Sequence, residues 1–581
     1  MLRVIAACGG LLLFWGCGSG CMQEVGGSEL SEEERGEVEP IVLASLREIH
    51  EGSFVTSPAC GICHSNHDGA SAMRLPDGQG IAPFDLWEAS MKANSARDPL
   101  FRAVLAAERA ATPAIADPVQ EKCLTCHAPM AMSDARTRGQ TFTLEDLYED
   151  TRRAQLGLDG VSCTTCHQLD PGTGTPETFS GQFSFAAGRP AFGPHQDPFA
   201  RPMENRSGFT PVFSEHMTSS QLCASCHTLF TDAHTPEGVA TGDRLLEQSP
   251  YLEWLNSDFN DEGDVAGPLA ASCQDCHMPR VTVTGEVIRT AIARRPDGSD
   301  FPPIGPREPY GQHLFVGGNT LIPAILRDQA ADLRPQASAA AFDAVIALAE
   351  EQLQEHTARL RLNDLRREGG DLRFEVEVEN LTGHKIPTAY PSRRIWLEIR
   401  VVDAAGEVLF HSGGTNRAGQ IVGPDGEPLP FELAGGPFEP HHRELRAADQ
   451  VQIYESIMGD ADGAPTHRLM RGATYLKDNR ILPRGWSQDH EWGPATAPVG
   501  TDDDPSFEAG RDTLSVHLSG LPPDGTWTLE VALLYQTLSA RYAGELFLWN
   551  HLPEVAIFEH YLSEADPRPV EMTRETRSFS P

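Results

Sequence analysis

Five times the chain places two cysteines three positions apart, with a histidine directly after the second. The sets are Cys60/Cys63/His64, Cys123/Cys126/His127, Cys163/Cys166/His167, Cys223/Cys226/His227 and Cys273/Cys276/His277. Of the 13 cysteines, Cys8, Cys17 and Cys21 lie near the N-terminus, and the other ten all belong to these motifs. None is left for a disulfide framework. Composition alone would place on the order of 0.01 such motifs in the chain. Three chemistries use C-x-x-C. Zinc ribbons take the pairs in twos, but five is odd and zinc has no need of the adjacent histidine. Redox dithiols occur singly on a thioredoxin-like unit, which the sequence does not show. Covalent haem attachment accounts for the pair and the histidine together. The two thiols add to the two vinyl groups of the macrocycle, and the imidazole is held beneath the ring as the proximal iron ligand. The motifs therefore imply five covalently attached c-type haems.

An iron that only carries electrons needs a sixth ligand, whereas an open position invites substrate chemistry. His216, in "SEHMTSSQLCASCH", lies on a short turn before the fourth motif. His313, in "GQHLFVGGN", is followed by two glycines that allow close backbone approach to a ring. His384, in "ENLTGHKIPTAYPSRR", sits on a proline-stiffened loop between two predicted strands. These three are expected as distal ligands. His195, in "FGPHQDPF", is a further candidate, with an ordinary loop role equally open. Met91, in "WEASMKANSARDP", is expected either as a thioether ligand that would raise its haem's potential or as core packing on a helix. Lys92 beside it is another possible donor. His67 follows His64 too closely to reach the same iron, and Met130 and Met278 read as packing against a ring. His50, His234 and Met203 complete the nearby donors.

The elements that carry these residues follow from the surrounding pattern. Residues 46–335 have little long amphipathic periodicity and many prolines, glycines and polar turns, so a loop-rich, mainly α-helical cytochrome domain is expected. Bound macrocycles would supply the apolar surface and the staples that a large core otherwise gives. Residues 336–368, rich in Ala, Leu and Glu at helical spacing, read as a connecting helix or two. After Gly369-Gly370 the pattern alternates, in "LRFEVEVEN", "RRIWLEIRVVD", "GEVLFHSG", "DTLSVHLSG" and "TWTLEVALLYQTL". Residues 369–581 are therefore expected to form an all-β, Ig-like sandwich, with His384 fixing it against a haem. Arg393 and Arg394 are expected either to pair with haem propionates or to face solvent. His441, His442, Trp486 and Trp492 lie in Pro/Gly-rich loops, with no spacing that demands a metal.

The chain has 581 residues, too many for one ordinary core, and a net charge of −37. That charge argues against a nucleic-acid binder and suggests a cationic or weakly bound partner; redox protein partners are expected. The N-terminus reads as an export segment: Arg3, a short apolar stretch from Val4 to Trp15, then "GCGSGC". Glycines before Cys17 and Cys21 resemble a lipoprotein cleavage box, despite Phe14 in place of the usual Leu. Residues 1–21 are thus expected as signal peptide and lipobox, with lipidation at Cys17 first and Cys21 second. Residues 22–45 read as an acidic flexible tether. The expected location is exported, periplasmic or at the cell surface, with membrane contact through the lipid anchor.

On these residues the chain resembles the multihaem c-type cytochromes grouped with hydroxylamine oxidoreductase and its tetrahaem electron-accepting cytochrome. The resemblance runs from about residue 54 to 397, through "CGICH", "SMKANSARDP", "CLTCHAPM", "GVSCTTCHQL", "LCASCHTLF", "YLEWLNS", "CQDCHMP", "HLFVGGN" and "TGHKIPTAYPSRR". Weaker similarity continues through "QIYESIMGDADG" and "YLKDNRILPRG". It implies that His216, His313 and His384 are distal ligands. The chain departs in having only five motifs and no C-x-x-C-K. The expected function is electron transfer along a packed haem array, with no catalytic residues. The alternative is a multihaem oxidoreductase acting on a small nitrogen or sulfur compound at one open-coordinate haem. A docking lipoprotein whose haems serve mainly as core is a third class, which five covalent cofactors disfavour.

Overall fold

Four of the five motif helices run two turns or less, whereas the second, Ala116–His127, runs 12 residues. The first, Pro58–His64, opens on a proline whose missing N–H costs nothing at a helix start. Cys163–Gln168 begins at Ser162, whose hydroxyl accepts the N–H of Thr165. Cys273–His277 begins with a reciprocal capping box between Ser272 and Asp275. The longest helix of this region, Pro99–Ala111, is capped by Asp98, which accepts from Leu100 and Phe101. Two two-stranded sheets, 190–193 with 210–213 and 229–234 with 240–248, complete a loop-rich region. The computed structural model describes residues 39–50, 52–263 and 266–579. The expected export segment, lipobox and most of the tether lie outside the described residues. Among the described residues no helix is long and apolar enough to cross a membrane.

The expected connecting helix over 336–368 is half right. A helix runs Ala339–Glu355, capped by the Ser338 hydroxyl, and the chain then turns into a strand, Ala358–Glu368. "ARLRLNDLRRE" alternates, and Gly369 at φ +59° lets it fold back in antiparallel register on Asp371–Asn380.

All five alternating segments are strands. One sheet has the order Ala358–Glu368, Asp371–Asn380, Arg511–Leu518, Glu444–Leu445. The other has the order Ile453–Tyr454, Arg394–Asp403, Trp527–Gln536, Val570–Phe579, with Val408–Ser412 also pairing on Arg394–Asp403. Phe374, Val376 and Val516 from the first share a core with Leu397, Ile399 and Val531 from the second. Two layers therefore pack face to face. The region is not all β, however. Ser539 caps a helix at Ala540–Phe547, and a second follows at Pro553–Glu564, before the last strand. These helices place Leu546 and Phe558 in one core with Leu100, Val104 and Leu124 of the motif region. The apolar core thus crosses the expected boundary near 369, and from Pro40 onward the described chain is one compact unit.

Arg394 takes neither of its expected roles. It is buried beside Trp396 on the face of its sheet turned away from the other sheet, where both terminal nitrogens bind Glu432 (Nη2 to Oε2, 2.9 Å) and Nε donates to Gln536 at 2.9 Å. Breaking one half of a buried pair leaves a stranded charge. Arg394→Ala should destabilise the protein by about 3–5 kcal/mol, read by denaturant unfolding. The double variant Arg394→Met, Glu432→Met should recover most of that loss.

Candidate functional site

One continuous cavity of about 1270 Å³ runs through the motif region. All five motif histidines line it, and so does every motif cysteine except Cys63. The sequence separates these motifs by more than two hundred residues at the extreme, and the fold returns them all to a single space.

The histidines are oriented by main-chain carbonyls. Nδ1 of His64 lies 2.9 Å from Ile292 O, that of His127 3.0 Å from Ser95 O, that of His167 2.5 Å from Phe192 O, and that of His277 2.7 Å from Val316 O. A carbonyl can only accept, so each Nδ1 carries the proton and each Nε2 keeps its lone pair. His313 and His384 do the same, through Gly311 O and Lys385 O, each at 3.1 Å. Burial holds all six neutral, lowering His127 and His277 to about 4 and His313 to about 3.

These imidazoles face one another in pairs. His167 and His313 have ring centroids 6.3 Å apart with planes inclined by 18°, and His277 and His384 are 6.5 Å apart at 11°. Metal–nitrogen bonds of about 2 Å, plus about 1.1 Å from each nitrogen to its ring centre, put two axial imidazoles on one metal about 6.2 Å apart. Both pairs meet that spacing.

The fourth motif is faced differently. Nζ of Lys92 lies 2.5 Å from Nε2 of His227, and its charge, ahead of burial, drives the pKa of His227 well below the usual value. Residues 90–97 are turns, not the expected helix, and they are pinned from below. Val161 N donates to Lys92 O at 2.9 Å, and a Cβ on Gly160 (φ +59°) would sit 2.6 Å from that oxygen. Of the two donors in this segment, Lys92 meets a motif histidine. Met91 lines the cavity and packs against the main core. His195 is half-buried and also lines the cavity. His216 accepts or donates a 2.5 Å bond between Nδ1 and Ser214 Oγ, and its Nε2 is buried with no partner. The ring of His127 stacks on Phe101 at 3.7 Å.

Sequence reasoning missed a device that occurs twice. Ser57, three residues before Cys60, accepts the N–H of Cys163 at 3.3 Å, and Ser220, three before Cys223, accepts the N–H of Cys273 at 2.9 Å. The residue after each accepted cysteine then reaches back: Thr164 Oγ1 to Val55 O (2.6 Å), and Gln274 Nε2 to Ser219 O (2.8 Å). The thiols of Cys60 and Cys163 touch as a result, as do those of Cys223 and Cys273. Cys126 and Cys226 are in similar contact, and Cys166 neighbours Cys226. The first and third motifs, the fourth and fifth, and the second and fourth are therefore immediate neighbours.

The His384 loop is locked by buried charges. Asp478 accepts from Lys385 Nζ (2.6 Å) and from Arg480 Nε and Nη2 (2.7 and 2.8 Å). Arg480 Nη1 lies 3.3 Å from Glu253, which also accepts from Lys385 N and Thr388 Oγ1. Gly383 lies so close to Trp254 that a Cβ would approach its ring to 3.0 Å. Arg393, half-buried at the cavity wall, donates to Thr388 O and forms no salt bridge among the described residues. Elsewhere, His441, Asp504 and Asp512 come within metal-sharing reach. His441 is nevertheless already satisfied by Asp504 on one nitrogen and by Gln452 and Asn479 on the other.

The donor set fits five covalently held haems: paired thiols, neutral imidazoles whose Nε2 atoms are free except at His227, and opposed rings at the axial spacing. No family model matches the chain, and no curated protein matches it. Among solved structures, the crystal structure of a penta-heme cytochrome c552 from Thermochromatium tepidum is similar at 17% identity and a TM-score of 0.46. The match covers 93% of this chain and 100% of that one.

Burial opposes ionisation of Asp478, but Arg480 and Lys385 outweigh it and hold its pKa to about 2. Because the folded value is depressed, its contribution is complete above the ordinary carboxylate pKa of about 3.9 and is lost as pH falls towards 2. Acid unfolding should show a loss on the order of 2 kcal/mol across that window, and Asp478→Asn should abolish this component while lowering stability at neutral pH.

Proposed function

We propose that this chain is an exported pentahaem c-type cytochrome that transfers electrons along a closely packed array and performs no chemistry of its own. The observation that carries the reading is the convergence of five C-x-x-C-H motifs on one cavity, with two of their imidazoles faced by a second imidazole at axial spacing. When bound, haem iron supplies a one-electron ferric/ferrous couple.

The protein's own residues do the rest. The ten motif cysteines hold the rings and the five motif histidines ligate from one side. His313 would serve with His167 and His384 with His277, and Lys92, now hydrogen-bonded to His227, would be the second donor at the fourth motif. His216, His195 and Met91 are the candidates for the first and second motifs. Thiol contacts order the array as first, third, fourth, fifth, with the second branching from the fourth. Apolar walls exclude water, and Arg393 is placed to neutralise a propionate. The resemblance to the hydroxylamine oxidoreductase group supports the same role. The N-terminal sequence supports export and a lipid anchor at Cys17, or secondarily Cys21, which would hold the protein in the periplasm or at the cell surface.

The test is spectroscopic. His313→Ala and His384→Ala should each convert one haem in five from low-spin to high-spin and make it bind CO, with all five still attached. Lys92→Ala should do the same at the fourth motif. Unchanged spectra in these variants would refute the ligand assignment. The enzyme reading gains if the unmodified protein already has a high-spin haem that binds nitrite, hydroxylamine or CO.

A further inference from the structure

The neighbour order of the motifs leaves the fifth at one end of the path, and Cys276 is the exposed one among the ten motif cysteines. Directly after it the chain makes a tight hairpin. Val281 bridges Val287, Thr282 N donates to Glu286 O at 2.9 Å, and Gly285 N donates to Thr282 O at 2.9 Å. Val281, Val283 and Val287 are each at least 44% exposed, with Val283 wholly so. They are not a loose tip. The next residue, Ile288, is buried with Tyr310, Met73 and Ile81, and its N–H is held by Arg280 O at 2.9 Å. A fixed hairpin thus presents three β-branched apolar side chains to solvent beside the most open motif. Isolated exposed valines mean little, but three on one rigid turn form a patch.

The hairpin itself carries one charged side chain, Glu286, which forms no salt bridge among the described residues. Arg280 is tied to Asp275 (Nε to Oδ1, 2.9 Å), and Arg289 lies 3.6 Å from Glu308. Arg307, whose backbone bridges Thr290, gives its guanidinium to the carbonyls of Gln196 and Asp197. The whole chain carries a net charge of −37. A small apolar centre on a strongly acidic protein steers a basic partner in and lets it leave quickly, as electron exchange between proteins requires.

We propose that the 281–287 hairpin is the docking surface for a basic, soluble electron-carrier protein that exchanges electrons at the fifth motif. This rests on the cytochrome reading above. The probe is mitochondrial cytochrome c, a basic single-haem carrier. With the full-length haem-loaded protein, calorimetry should show weak binding that disappears at high salt, and stopped-flow should show fast electron exchange. The triple variant Val281→Ser, Val283→Ser, Val287→Ser should slow the second-order rate about tenfold and weaken binding similarly. Its haem content, spin states and reduction by dithionite should match the parent. Glu286→Lys should flatten the salt dependence. Absence of binding, or a triple variant with unchanged affinity and rate, would overturn the proposal, as would a change in self-association instead. A chain without covalent haem would instead refute the underlying cytochrome reading, so the two failures are distinguishable.

Discussion

Six imidazoles give their Nδ1 protons to main-chain carbonyls, and the organisation of the cavity depends on that. A carbonyl partner fixes the tautomer, fixes the ring plane and leaves Nε2 as a lone pair aimed inward. Were those carbonyls turned away, a buried histidine would seek its proton partner through Nε2 instead, and the opposed pairs would collapse into ordinary hydrogen bonds. The segments at Ser95, Phe192, Ile292 and Val316 matter for this reason, although none of them carries a recognisable motif.

The second constraint is pairing between distant motifs. Ser57 and Ser220 do the same work at two places, each turning the N–H of a cysteine far along the chain into a ligand for its own hydroxyl. This brings thiols of different motifs into contact. In the C-terminal half, the Asp478–Arg480–Glu253 network and the helices at 540–564 tie the β layers to the motif region. His384 is thereby held as firmly as if it belonged to a motif helix. The β layers act as part of the site's scaffold.

Much of this was legible in the sequence, because the signals were local. C-x-x-C-H is complete within five residues, and the alternation in "LRFEVEVEN" or "TWTLEVALLYQTL" declares a strand without reference to anything else. His313 and His384 stood out through their glycine and proline neighbours. What the sequence hid was set by long-range contacts. The choice between Met91 and Lys92 depends on a turn that Gly160 and Val161 pin from seventy residues away. Ser57 and Ser220 look like ordinary helix-start residues until their partners are known. Arg394 reads as a surface or propionate residue because nothing nearby announces Glu432. The strand at 358–368 was masked by a composition shared with the preceding helix, and its alternation was the available clue.

The most direct measurement is intact-protein mass spectrometry under denaturing conditions that strip every non-covalent cofactor. The account predicts the polypeptide plus five haems, joined by thioether bonds at the ten motif cysteines. A bare polypeptide mass, or a native mass explained by zinc, would contradict it.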